Sequence, residues 1–477
     1  MVLGTTSGAG KSWLATALCR WYANQGLKVA PFKAQNMSNN ARVVQGLNGR
    51  AGEIGSAQYF QALAARRIPE VRMNPVLLKP EADTQSQVVV LGEVDAELSA
   101  TPWRERSEKL WPVARNALHE LMGENDLVVI EGAGSPAEIN LHSSDYVNMR
   151  VAREVNAACL LVTDIDRGGA FAHLYGTHAL LPADERALIR GFVLNRFRGD
   201  ASLLAPGPEQ LQQLTGVPTL AVLPMWRGHG LPEEDGILDD TPAGSGLTVA
   251  IVAYPRISNL DEFQPLRNTP GVRLTWARTP GELANADWII LPGSKSVAAD
   301  LAWLRAQGLD ASIARHAALG KPLLGICGGL QMLGEALVDP QGLDGNAPGL
   351  GLLPLVTLYE RDKLLRPSRL RMESLTAPWN ALGRADMDVY EIRQGRSAPH
   401  PQMPEVMVAL RDADGTAIGW QDGAVLGLYA HGLFENPAVI HALFGHEGRP
   451  LDRVFEGLSA YIGKHFGTTA LQALIAA

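Results

Sequence analysis

Residues 321–333 read KPLLGICGGLQML. The apolar run 322–326 predicts a buried strand that ends on Cys327. Two glycines follow at once, and a helical apolar pattern begins at Leu330. Gly325-x-Cys327-x-Gly329 has the spacing of a nucleophile elbow, the sharp strand-to-helix turn that lifts a reactive side chain above a sheet. Such a turn needs small neighbours, because it strains the backbone and brings two chain segments close together. A helix N-terminus favours the thiolate, the nucleophilic form of cysteine. A lone cysteine is commonly a packed core residue. The flanking glycines point instead to a nucleophile carried on an α/β sheet.

Working outward, the chain of 477 residues is too long for one core, so two or three domains are expected. Hydrophobic residues make up 46% and charged residues 19%, as in an ordinary globular enzyme. A net charge of −8 excludes a general binder of nucleic acid or anionic membrane. The 3 cysteines, Cys19, Cys159 and Cys327, have no paired spacing. This excludes a disulfide framework or zinc site and suits a reducing cytoplasm. Cys19 lies in an amphipathic helical pattern and Cys159 in an apolar run, so both are expected in the core. No stretch is long and apolar enough for a membrane span.

Residues 4–12 read GTTSGAGKS and lead into a helical pattern. A short strand, a glycine-rich loop, Lys-Ser and a helix together form a phosphate-binding loop. Backbone N–H groups of Gly4, Thr5, Thr6 and Gly10 are placed to cradle phosphate oxygens. Lys11 reaches the outer phosphates, and Ser12 offers an oxygen to Mg²⁺. The usual first glycine position is held by Thr5, with Gly4 one residue earlier. The strand before the loop is only 1–3, so its edge is frayed or the true start lies upstream.

Five further apolar runs follow, at 28–33, 127–132, 158–164, 191–197 and 219–224, separated by helical patterns. They predict a doubly wound parallel sheet, buried on both faces. Ligands of such sheets bind beyond the carboxyl ends of the strands. Lys33, Glu131, Asp164 and Asn195 stand there, and Glu131 and Asp164 are candidate oxygen ligands for Mg²⁺. Between the strands, 31–58 is dense in amides and small residues, which suit the lining of a polar site. It supplies Glu53 as a further metal candidate, and Lys79 beyond it is a candidate carboxylate partner. Asp145, Asp166 and Arg167 lie in later loops, the last two placed to respond to a γ-phosphate.

The stretches PFKAQNMSNN, GEIGSAQ, MNPVLLKP, EGAGSPAEINL, TDIDRGGAF and GFVLNRFRGD stand in the order found in the cobyric acid synthase family, and over nearly its whole length the chain resembles that family. The resemblance implies a dethiobiotin-synthetase-like ATP-dependent amide synthetase domain over 1–228. It also implies a class I glutamine amidotransferase-like domain over 247–477. Asn195 matches the residue that reads the adenine base in the wider ligase group. The implied reaction is ATP- and glutamine-dependent amidation of the b, d, e and g carboxylates of adenosylcobyrinic acid a,c-diamide, a corrinoid acid. The synthase that makes the a,c-diamide is the nearest rival, and PFKAQNMSNN argues against it. A partitioning-type ATPase switch with an inactive amidase-like domain, or a glutaminase-like binding module, are rivals of other classes.

Residues 229–246, rich in Gly, Pro and acid, read as a linker. A second α/β unit opens at LTVAIVAYP (247–255), and after about residue 350 alternating patterns suggest antiparallel additions packed on its sheet. Helices are expected from Pro437 onward. Gly293 at a strand end, with Gly328 after the nucleophile, is placed to form an oxyanion hole. Among 11 histidines, His431 in LYAHGLF closes a strand and precedes a glycine, and it matches the catalytic histidine of class I amidotransferases. Many of those domains carry a glutamate two residues later. Here that position is Leu433, and Glu435 lies at the wrong offset. The resemblance therefore implies a Cys-His dyad and leaves a third member open.

Overall fold

The computed structural model describes residues 1–82, 85–232 and 246–476. The bulk of the expected linker, 233–245, lies outside the described residues.

The first unit is built on parallel strands whose sequence is apolar throughout. Val2–Gly4, Cys159–Asp164, Ile189–Phe197 and Thr219–Pro224 form one ladder in that order, and Val29–Phe32 pairs with Leu127–Ile130. A parallel bridge from Val2 to Glu131 joins the two ladders. The strands after 127–130 run away on the opposite side of Val2–Gly4, so the winding direction reverses there. That reversal opens a crevice at the carboxyl edge, where the phosphate loop lies. The five expected strands are all present and parallel.

The amide-rich stretch after Phe32 makes short ladders at the rim. Gln35–Met37 pairs with Val76–Ala82, and Ala41–Gln45 forms a hairpin with Ala51–Gly55. Its first part faces the crevice, and the hairpin faces the second unit.

The second unit has a seven-stranded sheet. Val272–Ala277, Leu247–Val252, Trp288–Leu291, Leu323–Ile326 and Val425–Leu428 are parallel neighbours. Ala417–Asp422 and Met407–Arg411 extend it antiparallel. These late strands thus lengthen the sheet edgewise rather than cover it. A separate long ribbon, Leu355–Arg371 against Asp386–Pro399, reaches across to the first unit. There Ile392 packs on Ala41, Leu77 and Val89.

The last helices also cross between units. Val454, Phe455, Leu458, Ile462 and Phe466 of Leu451–Phe466 share one core with Leu14, Leu18, Trp21 and Tyr22 of Lys11–Asn24. Arg20, on the same face of that first helix, pairs with Asp452 at 2.5 Å. The tail of the chain therefore packs on the helix that follows the phosphate loop. Cys19 and Cys159 are buried as expected, and burial raises both thiols above their ordinary range.

Candidate active sites

The phosphate loop borders a cleft of about 500 Å³ whose lining includes Gly10, Lys11, Ser12, Lys33, Glu131 and Asp145. Gly10 has φ 99°, and a Cβ there would stand 2.1 Å from Asn195 Nδ2, so only glycine fits. Asn195 Nδ2 donates to Ala9 O at 2.9 Å, and its Oδ1 accepts from Arg196 N. In this conformation the amide braces the loop rather than facing a base. Lys11 Nζ donates to Thr6 O and Gly134 O, each at 3.1 Å, so it is folded back over the loop. Thr5 Oγ1 donates to Thr163 Oγ1 and ties the loop to the neighbouring strand.

Glu131 is the hub of this site. Its Oε1 accepts from Ser12 Oγ at 2.8 Å and Lys33 Nζ at 2.9 Å, and its Oε2 from Gln61 at 2.5 Å. Burial alone would raise this carboxyl; Lys33 and the two donors outweigh burial and hold it below the usual carboxylate range. Asp145 accepts from the N–H groups of Val147 and Asn148, while Asn148 brackets Ala133 beside the Lys11 contact. Asp164 is paired with Arg196 at 3.0 Å and Arg167 at 3.4 Å. Asp166 pairs with Arg198, and the Arg167 guanidinium lies over Gly8 of the loop.

Two expected members are elsewhere. Glu53 does not come to the cleft: its carboxylate is fully buried between Lys79 at 2.9 Å and Lys363 of the long ribbon. Burial would raise Glu53, but the two ammonium groups win and lower it to about 2. Burial in turn pulls Lys363 down to about 7, against the raising effect of Glu53. Glu53 and Lys79 therefore form an ion cluster between the units. Among the described residues, no group of three or more His, Cys, Asp or Glu side chains is arranged to hold a metal.

The second site forms where two adjacent parallel strands end. Ile326 and Leu428 are register partners, and Cys327 N donates to Leu428 O at 2.8 Å. Three residues past Leu428 the chain reaches His431. Cys327 has φ 51° and ψ −104°, the strained backbone of the expected elbow. A Cβ on Gly329 would lie 1.9 Å from Leu291 O, which explains the glycine that follows the turn. The Cys327 sulfur and the His431 ring lie close enough to couple electrostatically, and Cys327 Sγ lies 3.4 Å from Ile392 O of the ribbon.

The histidine has a third partner that no motif announced. Its Nδ1 lies 3.0 Å from Glu262 Oε1, and Glu262 Oε2 accepts from Gly432 N at 3.1 Å. Both side chains are almost fully buried. Glu262 sits on the short turn Leu260–Phe263. Leu433, where a glutamate stands in many such domains, is packed in the core, and Glu435 turns to Arg42 instead. Burial alone would lower His431; the Glu262 carboxylate and the Cys327 sulfur opposite it outweigh burial and raise it to about 10. At neutral pH the His431 ring is therefore a protonated imidazolium beside the Cys327 sulfur. Gly293 and Gly328 also converge here. A Cβ on Gly293 would stand 3.0 Å from His431 Cε1, and one on Gly328 would stand 2.7 Å from Ser294 N.

Comparison with known proteins follows the same division. A CobQ/CobB/MinD/ParA nucleotide binding domain model matches residues 1–228. A CobB/CobQ-like glutamine amidotransferase domain model matches residues 248–439. The chain is 70% identical over 489 residues to the cobyric acid synthase of Methylibium petroleiphilum, covering 100% of this chain and 96% of that one. It is 69% identical over 494 residues to that of Leptothrix cholodnii, with 100% and 96% coverage. It is 67% identical over 486 residues to that of Variovorax paradoxus, with 100% and 99% coverage.

Proposed function

The chain belongs to the cobyric acid synthase family, and from that membership we propose how its two sites divide one reaction. The enzyme is a carbon–nitrogen ligase of cobalamin biosynthesis with glutamine as nitrogen donor. By family resemblance its acceptor is adenosylcobyrinic acid a,c-diamide, amidated at the b, d, e and g carboxylates to adenosylcobyric acid. The unit over 1–228 is the synthetase, and the unit over 247–477 is the amidotransferase. The unpaired cysteines are in keeping with a reducing cytoplasm, and among the described residues no helix is long and apolar enough to cross a membrane.

In the amidotransferase unit the Cys327 thiolate attacks the carboxamide carbon of glutamine. N–H groups of Gly293 and Gly328 stabilise the oxyanion. Glu262 holds Nδ1 of His431, so Nε2 faces the sulfur and gives its proton to the leaving nitrogen. The C–N bond breaks, ammonia departs, and a thioester remains. His431 then draws a proton from water, which hydrolyses the thioester to glutamate and restores the thiolate–imidazolium pair.

In the synthetase unit a substrate carboxylate takes the terminal phosphoryl group of ATP. The acyl phosphate accepts ammonia where the carboxylate would not, and phosphate leaves as the amide forms. Lys11 and the loop N–H groups offset charge on the phosphates. Ser12 and Glu131 together present hard oxygen donors that fit Mg²⁺, which would neutralise phosphate charge when bound. Asp164, Asp166 and Arg167 shape the rim above the loop. Cys327 lies beneath the ribbon that meets the first unit, which supports a sheltered passage for ammonia.

The observation that carries this reading is the Cys327 elbow paired with His431, which Glu262 holds, in a chain that also carries a phosphate loop. An inactive amidase-like partner of an ATPase switch has no need of such a pair. Mass spectrometry of corrinoid products made with ¹⁵N-amide glutamine tests it. Label in each new amide is expected, and unlabelled or unchanged corrinoid overturns it.

A further inference from the structure

The turn that carries Glu262 is held from two directions. On its inner side Glu262 grips His431 and Gly432. On its outer side it is held by the synthetase unit, through the segment 40–42 at the start of the rim hairpin. Leu260 N donates to Asn40 Oδ1 at 2.9 Å, and Asn259 Nδ2 donates to Ala41 O at 2.9 Å. Arg42, only 1% exposed, donates through Nε to Asp261 Oδ2 at 2.8 Å and pairs through Nη2 with Asp261 and Glu435. Asp261 is the immediate neighbour of Glu262, and Glu435 lies on the turn that follows His431.

Arg42 reaches the histidine by a second path. Its guanidinium carbon lies 5.1 Å from the Tyr390 ring centroid, and Tyr390 in turn stacks on His431 at 5.3 Å with 20° between planes. The two residues also exchange backbone hydrogen bonds, with His431 N donating to Tyr390 O at 2.9 Å. One side chain of the synthetase unit thus bears on both partners of the Glu262–His431 contact. A planar, permanently charged fork is the group suited to hold two carboxylates and an aromatic face at once.

We propose that Arg42 is a positioning residue of the glutaminase site, supplied by the other unit, so that the Cys327–His431–Glu262 array is complete only while the two units are docked. This rests on the reading of Cys327 and His431 given above. Its chemistry follows simply. Without Arg42, the turn 260–263 keeps its bonds to Asn40 and Ala41 but loses the charged part of its outer support, Asp261 is left as a buried carboxylate beside Glu262, and the imidazolium loses its aligned partner. Within its own unit Arg42 stacks on the rings of Tyr59 and Phe60, the latter at the edge of the cleft, whereas its side-chain hydrogen bonds go to Asp261 and Glu435, so the larger loss is expected at the glutaminase site.

The full chain carrying Arg42→Gln, Arg42→Lys or, separately, Asp261→Asn tests this, with glutamine hydrolysis, glutamine-dependent amidation and ammonium-dependent amidation measured side by side. For Arg42→Gln, kcat for glutamine is expected to fall by about tenfold or more with KM changed less than about twofold. Ammonium-dependent amidation is expected to stay within about twofold. The alkaline limb of the glutaminase profile should move to lower pH, because His431 loses support for its charged form. Arg42→Lys should recover part of kcat. Asp261→Asn keeps the shape of the turn and should reproduce the selective loss if Arg42→Gln fails to fold. Unchanged glutamine kcat, or parallel loss of both nitrogen sources in Asp261→Asn and Arg42→Gln, overturns the proposal. Absence of glutamine hydrolysis in the unaltered enzyme would instead strike the parent reading.

Discussion

Glu262 Oε1 lies 3.0 Å from His431 Nδ1, although 169 positions separate the two residues in the chain. The contact fixes which ring nitrogen faces Cys327 and keeps the imidazole protonated. Glu262→Gln keeps the shape and removes the charge. We expect kcat/KM for glutamine to drop by roughly 10²- to 10⁴-fold, with ammonium-dependent amidation retained. A glutamine rate equal to that of the unaltered enzyme would remove Glu262 from the site.

The pH dependence of that contact has a definite sign. His431 is raised from an ordinary 6.5 to about 10. A group raised on folding stabilises the native state fully below its unfolded value and loses that contribution as pH rises through the folded one. Glutaminase activity and this part of the stability should therefore decline together as pH passes about 10. In Glu262→Gln the alkaline limb should begin nearer neutrality. A pH profile of kcat/KM, with thermal melts at the same pH values, checks both.

Cys327→Ala should abolish glutamine use, by more than about 10³-fold, while ammonium salts still support amidation. The ammonium-dependent rate is the informative control, because added ammonium bypasses the thiol chemistry and still needs the phosphate loop.

Lys11→Ala should stop amidation from either nitrogen source, by at least about 10²-fold. Lys11 Nζ rests on Thr6 O and Gly134 O, where an arriving phosphate competes for its charge. Normal turnover with ammonium in this variant would take the loop out of the mechanism.

Glu53→Gln tests the ion cluster between the units. It leaves Lys79 and Lys363 buried without their carboxylate, and breaking such a cluster typically costs about 3–5 kcal/mol. Glu53 is depressed on folding, so its contribution is full above the unfolded value of 4.5 and is lost as pH falls through about 2. A lower denaturation midpoint, and proteolysis that separates the two units, are the expected results. An unchanged midpoint would show that the lysines find other partners.

Local sequence settled much of this molecule. Short-range rules determine an apolar run that ends in Gly-x-Cys-Gly-Gly, or a strand that runs into Gly-Lys-Ser, because strand, turn and helix there are neighbours in the chain. Cys327, His431, Lys11, Ser12 and Glu131 were legible for that reason, as were the parallel strands that carry them. Glu53 reads as a metal candidate, since a carboxylate in an amide-rich loop looks the same whether it faces a nucleotide or a lysine from a distant ribbon; Lys79, which reads as a carboxylate partner, meets Glu53 itself. Glu262, Arg42 and the return of the helix Leu451–Phe466 onto Lys11–Asn24 belong to the tertiary structure alone. Glu262 lies on a one-turn helix without a motif, and Arg42 is an isolated arginine in an otherwise polar stretch. Their roles arise from burial between two units: only there does water leave, and only then must each charge find the partner that folding brings to it.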